Sequence, residues 1–454
     1  MRKDRAVMTI LIVAALSLFA VGSGLLIVEP SLQVEWMQTH TVAGNSYMVG
    51  VKMTSDGGFV FAGRHDGSLF TTPGGSRHLG EFWLVKFDSY GNLVWNKTYP
   101  NANDSIGFSV DQTADGGYIV GGNMGVPPAD SYLRFLLMKV DQYGNEEWTR
   151  TYPGRGDLYG WSSVQQTTDG GYIFTGGWDS VIKTYSNGSL QWSRSYSGAF
   201  QAGEAILQTS DGGYIIRGDA AYPVPELGSV GGGWILKIDA SGNALWNRTF
   251  ESVENTVSSI QQVSDGGYIL SGTVGLRSSI ASLQRGVLAP LGSWTPSKVQ
   301  AWLLRLSSSG TTLWNKTFNA ADLSEGMQTR QTSDGGYITS ICAPWLGYGI
   351  TDWLWRTDSN GTTLWYRPFA SGTGIGCLQQ TTDGDYVIAG CDSSVYAMIA
   401  KVSGAPQLFT PEVIPMIYVF SGGFFVTGAV AAIVMYLGSR RKHTRQNDTV
   451  LARS

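Results

Sequence analysis

The chain has 454 residues, a net charge of −4, only 15% charged residues, and 60 Gly, 21 Tyr and 16 Trp. That composition suits a turn-rich, all-β protein and excludes a disordered one. From residue 31 to 404 there are 23 Lys plus Arg against 31 Asp plus Glu, and an acidic body without basic clusters argues against nucleic acid as a partner.

Arg2, Lys3 and Arg5 precede an uncharged apolar run, Ala6 to Val28. Its 23 residues exceed a usual signal-peptide core and suffice to span a bilayer, so residues 1–30 are expected to be a signal or signal-anchor helix. Small residues at Gly22, Ser23 and Gly24 leave cleavage open.

From residue 31 to 404 two phrases recur. One is Ser264-Asp265-Gly266-Gly267-Tyr268, with its Asp at positions 56, 115, 169, 211, 265, 334 and 383. The other is Trp246-Asn247-Arg248-Thr249-Phe250, with its Trp at positions 36, 95, 148, 192, 246, 314 and 365. Each Trp precedes the next Asp by 18 to 21 residues. A fixed period of this kind means a repeat architecture.

Each repeat reads as four short strands, A to D. Asp-Gly turns join A to B, and Gly-containing turns join C to D, because Gly takes φ > 0 without steric cost. A basic residue on strand C (Lys86, Lys139, Lys183, Lys237, Arg305, Arg356) stands nine residues before each following Trp. Seven such sheets in series predict a seven-bladed β-propeller. The last copy stops after strand C, Tyr396 to Ser403, and the first has only a Trp strand, Val34 to Gln38. Pairing the two closes the ring with an N-terminal outer strand and removes the free edges of an open array.

Beyond a linker at 405–412, a second apolar run at 413–437 is followed by Arg440, Arg441, Lys442 and Arg445. That predicts a transmembrane helix with a basic cytoplasmic tail, 438–454, and places the propeller on the extracytoplasmic side of the cell membrane.

The C–D pattern D-x-x-G-x-x-x-W stands at Asp88…Gly91…Trp95, Asp141…Gly144…Trp148 and Asp239…Gly242…Trp246. It resembles the tryptophan-docking repeat of pyrroloquinoline-quinone-type propellers, and with T-x-D-G-G-Y it is similar to repeat proteins of microbial, especially archaeal, cell surfaces. Tyr185, Ser307 and Ser403 depart from the pattern. The resemblance implies a Trp packed on the next blade. Some members are non-catalytic envelope assembly factors, and others are quinone enzymes with adjacent cysteines and a calcium site. This chain has no adjacent cysteines, so neither that activity, a cofactor nor a metal is carried over.

The turn acids sit one per blade, too far apart to share a proton or ion, and hairpin chemistry accounts for them. Three residues before each Asp stands Gln112, Gln166, Gln208, Gln262, Gln331 or Gln380, with Met53 in blade 1. An axial ring of amides can bind a polar ligand, but such repeats more commonly satisfy backbone groups of adjoining blades. Cys377 and Cys391 fall opposite each other if Asp383-Gly384-Asp385 is a three-residue loop; a disulfide and three free thiols are the two alternatives.

The irregular segments 64–82, 123–134, 219–232 and 273–300 lie at the B–C end of the blades, away from the turns and the termini. Loops on a rigid scaffold carry recognition, which makes Arg64, His65, Asp66, Trp161, Trp178, Trp294 and Trp345 the candidate ligand face. Sequons at Asn96, Asn103, Asn187, Asn247, Asn315 and Asn360 are candidate glycosylation sites. The expected role is a membrane-anchored, non-catalytic binding or adhesion module for an extracellular glycan or protein. The alternatives are an envelope scaffold or assembly factor and, further off, a glycan-active or quinone-dependent enzyme.

Overall fold

Each Asp-Gly phrase folds as its residues dictate. Thr54 N donates to Gly58 O (2.8 Å) and Gly57 N to Thr54 O (2.9 Å), with Gly57 at φ 79°. The carboxylate of Asp56 accepts Gly58 N at 3.0 Å and the Thr54 hydroxyl, so the acid braces its own turn. The C–D turn repeats the device: Asp88 Oδ1 accepts Tyr90 N and Asn92 N, each at 2.8 Å.

The computed structural model describes residues 34–403, apart from 42–46, 73–74, 101–104, 125–132, 157–162, 177–179, 197–200, 225–227, 251–255, 276–298, 319–323, 346–348, 372–374 and 392–395. Among the described residues the strands form seven four-stranded antiparallel sheets, the blades of a seven-bladed β-propeller. Blades 1 to 6 run A-B-C-D in chain order. Blade 7 takes A, B and C from Ile375–Gln380, Tyr386–Cys391 and Tyr396–Val402, and D from Val34–Thr41 at the other end of the chain. The closing register runs from Val34 opposite Val402 to Thr41 opposite Tyr396. The A strands of neighbouring blades approach one another, so A lines the axis, and the exposed D strands form the rim.

The core lies between blades. Val60, Ala62 and Leu84 of blade 1 pack on Tyr118, Val120, Leu136 and Met138 of blade 2, all nearly inaccessible to solvent. At the seam, Val387, Ala397 and Ile399 of blade 7 pack on Phe59, Phe61 and Phe87 of blade 1. Burying one such side chain contributes about 1.5–3 kcal/mol, so each blade is stabilised chiefly by its neighbours.

Several expectations change at this level. Segments 64–82 and 219–232 are not irregular. They extend the blade 1 and blade 4 B–C hairpins, paired outward to Thr72 opposite Gly75 and to Val224 opposite Gly228. Cys377 is a free buried thiol opposite Ala389, not Cys391. A bulge between Ile375 and Cys377 shifts the register, and Cys391 pairs with Ala397.

Met1–Ala405 and Pro406–Ser454 separate as two units. Both apolar runs lie outside the described residues. Among the described residues no helix is long and apolar enough to cross a membrane.

Candidate functional site

Antiparallel connectivity divides the blade ends into two faces. The A–B and C–D turns share one face with the start of the first strand, Val34, and the end of the last, Val402. The B–C hairpins and D–A connections share the other.

The turn face is built by ion pairs. In every blade a strand-C cation meets the turn acid of its own A–B hairpin: Lys86 with Asp56 (2.9 Å), Lys139 with Asp115 (2.9 Å), Lys183 with Asp169 (2.8 Å) and Lys237 with Asp211 (2.9 Å). Arg305 with Asp265, Arg356 with Asp334 and Lys401 with Asp383 complete the set. The first six cations are buried and the acids exposed, so a charge that cannot reach water is matched at the surface. Partial burial opposes ionisation of Asp115 and Asp211, but the Thr hydroxyl, the Lys ammonium and the Gly N–H outweigh it and hold both near 2. Hydrogen bonds from Lys401 and Thr381 hold Asp383 near 2. At the ring closure Lys401 also reaches Glu35 and Asp385, each at 3.0 Å, so the closing strand is bound by charge as well as by its ladder.

Hairpin chemistry alone therefore undercounts these acids. The usable sequence signal was the strand-C cation at its fixed distance from the Trp. The hidden part was its partner, because Asp56 and Lys86 are 30 residues apart but Asp169 and Lys183 only 14.

The axial amides belong to the scaffold. Oε1 of Gln112 accepts Ser55 N from the preceding blade's turn at 2.7 Å, and Gln166, Gln208, Gln262, Gln331 and Gln380 do the same around the ring. Met53 offers no such oxygen at the blade 7–blade 1 seam.

The opposite face holds those residues singled out for recognition that are described. Arg64, His65 and Asp66 lie on strand B of blade 1, Phe59–Thr72, opposite Phe82, Glu81 and Gly80. Strand alternation sends the first two side chains to opposite sides. The His65 ring lies 5.9 Å from that of Trp83, and Arg64 covers Gly80 so closely that a Cβ there would stand 2.4 Å from Nε. Trp345 ends strand B of blade 6, Tyr337–Trp345. Trp161, Trp178 and Trp294 lie outside the described residues, and Arg64, His65 and Asp66 adjoin only as consecutive positions of one strand. Among the described residues no group of three or more His, Cys, Asp or Glu is arranged to hold a metal ion.

Asn96, Asn247 and Asn315 on the D strands of the rim and Asn187 and Asn360 in C–D turns are exposed, whereas Asn103 lies outside the described residues. Asn96 Oδ1 accepts Trp83 Nε1 at 2.5 Å, and Asn187 Oδ1 accepts Ser189 N at 2.9 Å.

No family model matches the chain, and no curated protein matches it. Among solved structures it is similar to BamB from Moraxella catarrhalis, with 12% identity over 81% of this chain and 99% of that one and a TM-score of 0.42. A catalytically inactive virginiamycin B lyase from Staphylococcus aureus with quinupristin matches with 11% identity, 80% and 99% coverage and a TM-score of 0.47. A protein of unknown function from Bacteroides caccae matches with 14% identity, 63% and 90% coverage and a TM-score of 0.37. Similarity at this level carries no functional argument.

Proposed function

We propose that this chain is a membrane-anchored extracytoplasmic propeller. It binds a glycan or protein ligand through the face bearing the B–C hairpins and performs no chemistry on it. One observation carries the reading: Val34 and Val402 stand side by side at the turn end of blade 7, whereas the paired extensions to Thr72 and Val224 leave the opposite end. Five residues separate the apolar run ending at Val28 from Val34, a reach of roughly 20 Å when extended. Anchoring through that run holds the turn face toward the bilayer and presents the hairpins outward. A rigid ring bearing protruding hairpins suits recognition.

The test compares the full chain with a variant lacking residues 67–79, which removes the tip of the blade 1 hairpin and leaves the pairing of Arg64 with Phe82. Both are applied to a glycan array and to a cell-adhesion assay. Selective loss of binding with unchanged thermal unfolding supports the reading. Equal binding by the two chains, or turnover of an arrayed glycan, overturns it.

A further inference from the structure

Among the described side chains, every large apolar residue left exposed stands in a C–D turn or in the first four residues of a D strand. Tyr90 and Tyr143 occupy such turns at 68% and 63% exposure. Leu245, Leu313 and Leu364 each precede the Trp of their D strand, at 57%, 56% and 56%. In blade 7 Met37 takes its place on the closing strand, and all seven blades contribute. D strands begin at the turn face and form the rim, so these residues make an apolar collar around the edge of that face.

Charge stands beside the collar. Two residues beyond the rim Trp of blades 1 to 6 come Lys97, Arg150, Arg194, Arg248, Lys316 and Arg367. Their stems cross the C–D turn of the following blade: a Cβ on Gly242 would lie 2.9 Å from Arg194 Cγ, and one on Gly361 2.8 Å from Lys316 Cγ. Lys97 Nζ donates to Asn145 Oδ1 at 2.7 Å and Arg248 Nη1 to Gly310 O at 3.1 Å, both within that turn. The turns carry half-buried acids, Asp88, Asp141, Asp239 and Asp358. Phenols, Leu side chains and long cationic stems at one level are the composition of a membrane interface, where each lies between headgroups and hydrocarbon.

We infer that the collar docks on a lipid bilayer surface with zwitterionic headgroups, so that the propeller lies turn face down on the membrane. This rests on the anchored reading above and adds a second contact to it. Three observations select the occupant. The five residues between Val28 and Val34 hold the turn face within reach of the bilayer, which makes docking an intramolecular step. The collar runs through all seven blades, whereas a protein partner of ordinary footprint, about 800 Å², meets only a sector of such a ring. Cations and acids alternate around the rim, which suits headgroup phosphate and ammonium together.

All 16 Trp lie between positions 36 and 365, outside both apolar runs, so Trp fluorescence reports the propeller alone. The full chain and its Leu245→Glu/Leu313→Glu/Leu364→Glu variant are reconstituted into vesicles of phosphatidylcholine, or of the same lipid brominated near the headgroup end of its chains. Flotation reads anchoring, and quenching by bromine reads docking. The wild type is expected to float and to lose fluorescence in the brominated vesicles. The variant should float equally, unfold at an unchanged Tm because its three positions are exposed, and keep most of its fluorescence. Should it fold poorly, Tyr90→Asp/Tyr143→Asp, confined to surface turns, takes its place. Chains that do not float overturn the anchored reading and this inference together. Flotation without quenching, or equal quenching of the two chains, overturns the inference alone. So does self-association of the wild type in detergent that the variant lacks, which assigns the collar to a second copy.

Discussion

The rings of Trp95 and Tyr118 meet edge to face at 5.9 Å across the boundary between blades 1 and 2. Trp95 comes from the Trp phrase and Tyr118 from the Asp-Gly-Gly-Tyr phrase. The same meeting recurs at Trp148–Tyr172 (5.8 Å), Trp192–Tyr214 (6.2 Å), Trp246–Tyr268 (6.0 Å), Trp314–Tyr337 (5.7 Å) and Trp365–Tyr386 (6.2 Å). The two phrases keep their 18-to-21-residue spacing because each boundary is a contact between them. The Trp also covers the next C–D turn: a Cβ on Gly144 would lie 3.1 Å from Trp95 Cζ3, and that glycine has φ 75°.

Removal of one such wedge tests the contact. Trp95→Ala should destabilise the protein by about 3 kcal/mol, since the ring leaves a gap that rigid sheets fill poorly. Trp95→Phe keeps the ring contact but loses the indole N–H bond to Gln142 O (3.3 Å), at a cost of about 1 kcal/mol. Denaturant unfolding of the full chain reads both.

The turn acids make stability depend on pH. Asp115, Asp211 and Asp383 have folded pKa values near 2, below an unfolded value of about 3.9. Groups lowered in this way contribute stability that is complete above the unfolded value and is lost as pH falls through the folded one. Tm should therefore hold above pH ~4 and decline toward pH ~2. Asp211→Asn should unfold at a lower temperature at pH 7 and decline less steeply on acidification.

Blades 5 and 6 use Arg where the others use Lys. Nε of Arg305 donates to the Tyr337 hydroxyl of the next blade at 3.0 Å, beyond its pairing with Asp265. Arg305→Lys keeps the ion pair but not the cross-blade bond and should cost about 1 kcal/mol. Tyr337→Phe should cost a similar amount, and the double variant should cost less than the sum.

Closure depends on the first strand. Deletion of 34–41 strips strand C of blade 7, Tyr396–Val402, of its partner and removes Glu35 from Lys401. The bared edge should drive self-association visible by light scattering. The His40 bond to Gly91 O (2.8 Å) and the Trp36 contact at the same turn are lost with it, so blade 1 should loosen as well. Faster amide exchange in Leu93–Tyr99 would report that loosening.

Strand order, blade number and the closing partner were all legible in the chain. Period-two patterning, Asp-Gly turns and an orphan Trp strand are local signals that survive without a structure. Side-chain pairing was not. The cation facing Asp56 is separated from it by a long hairpin of the same blade, and the acceptor for Ser55 N sits 57 residues away on Gln112 of the next blade, so only the folded sheets pair them. The hairpin extensions at 64–82 and 219–232 were hidden because Gly-rich strands carry weak alternation.

The sequence by itself determined seven repeats, their turns and the strand that joins the two ends, because each is encoded within one blade's worth of chain. Only the tertiary structure decided which side chain satisfies which donor. That outcome depends on the spacing and register of neighbouring sheets, which bring Gln112 Oε1 within 2.7 Å of Ser55 N.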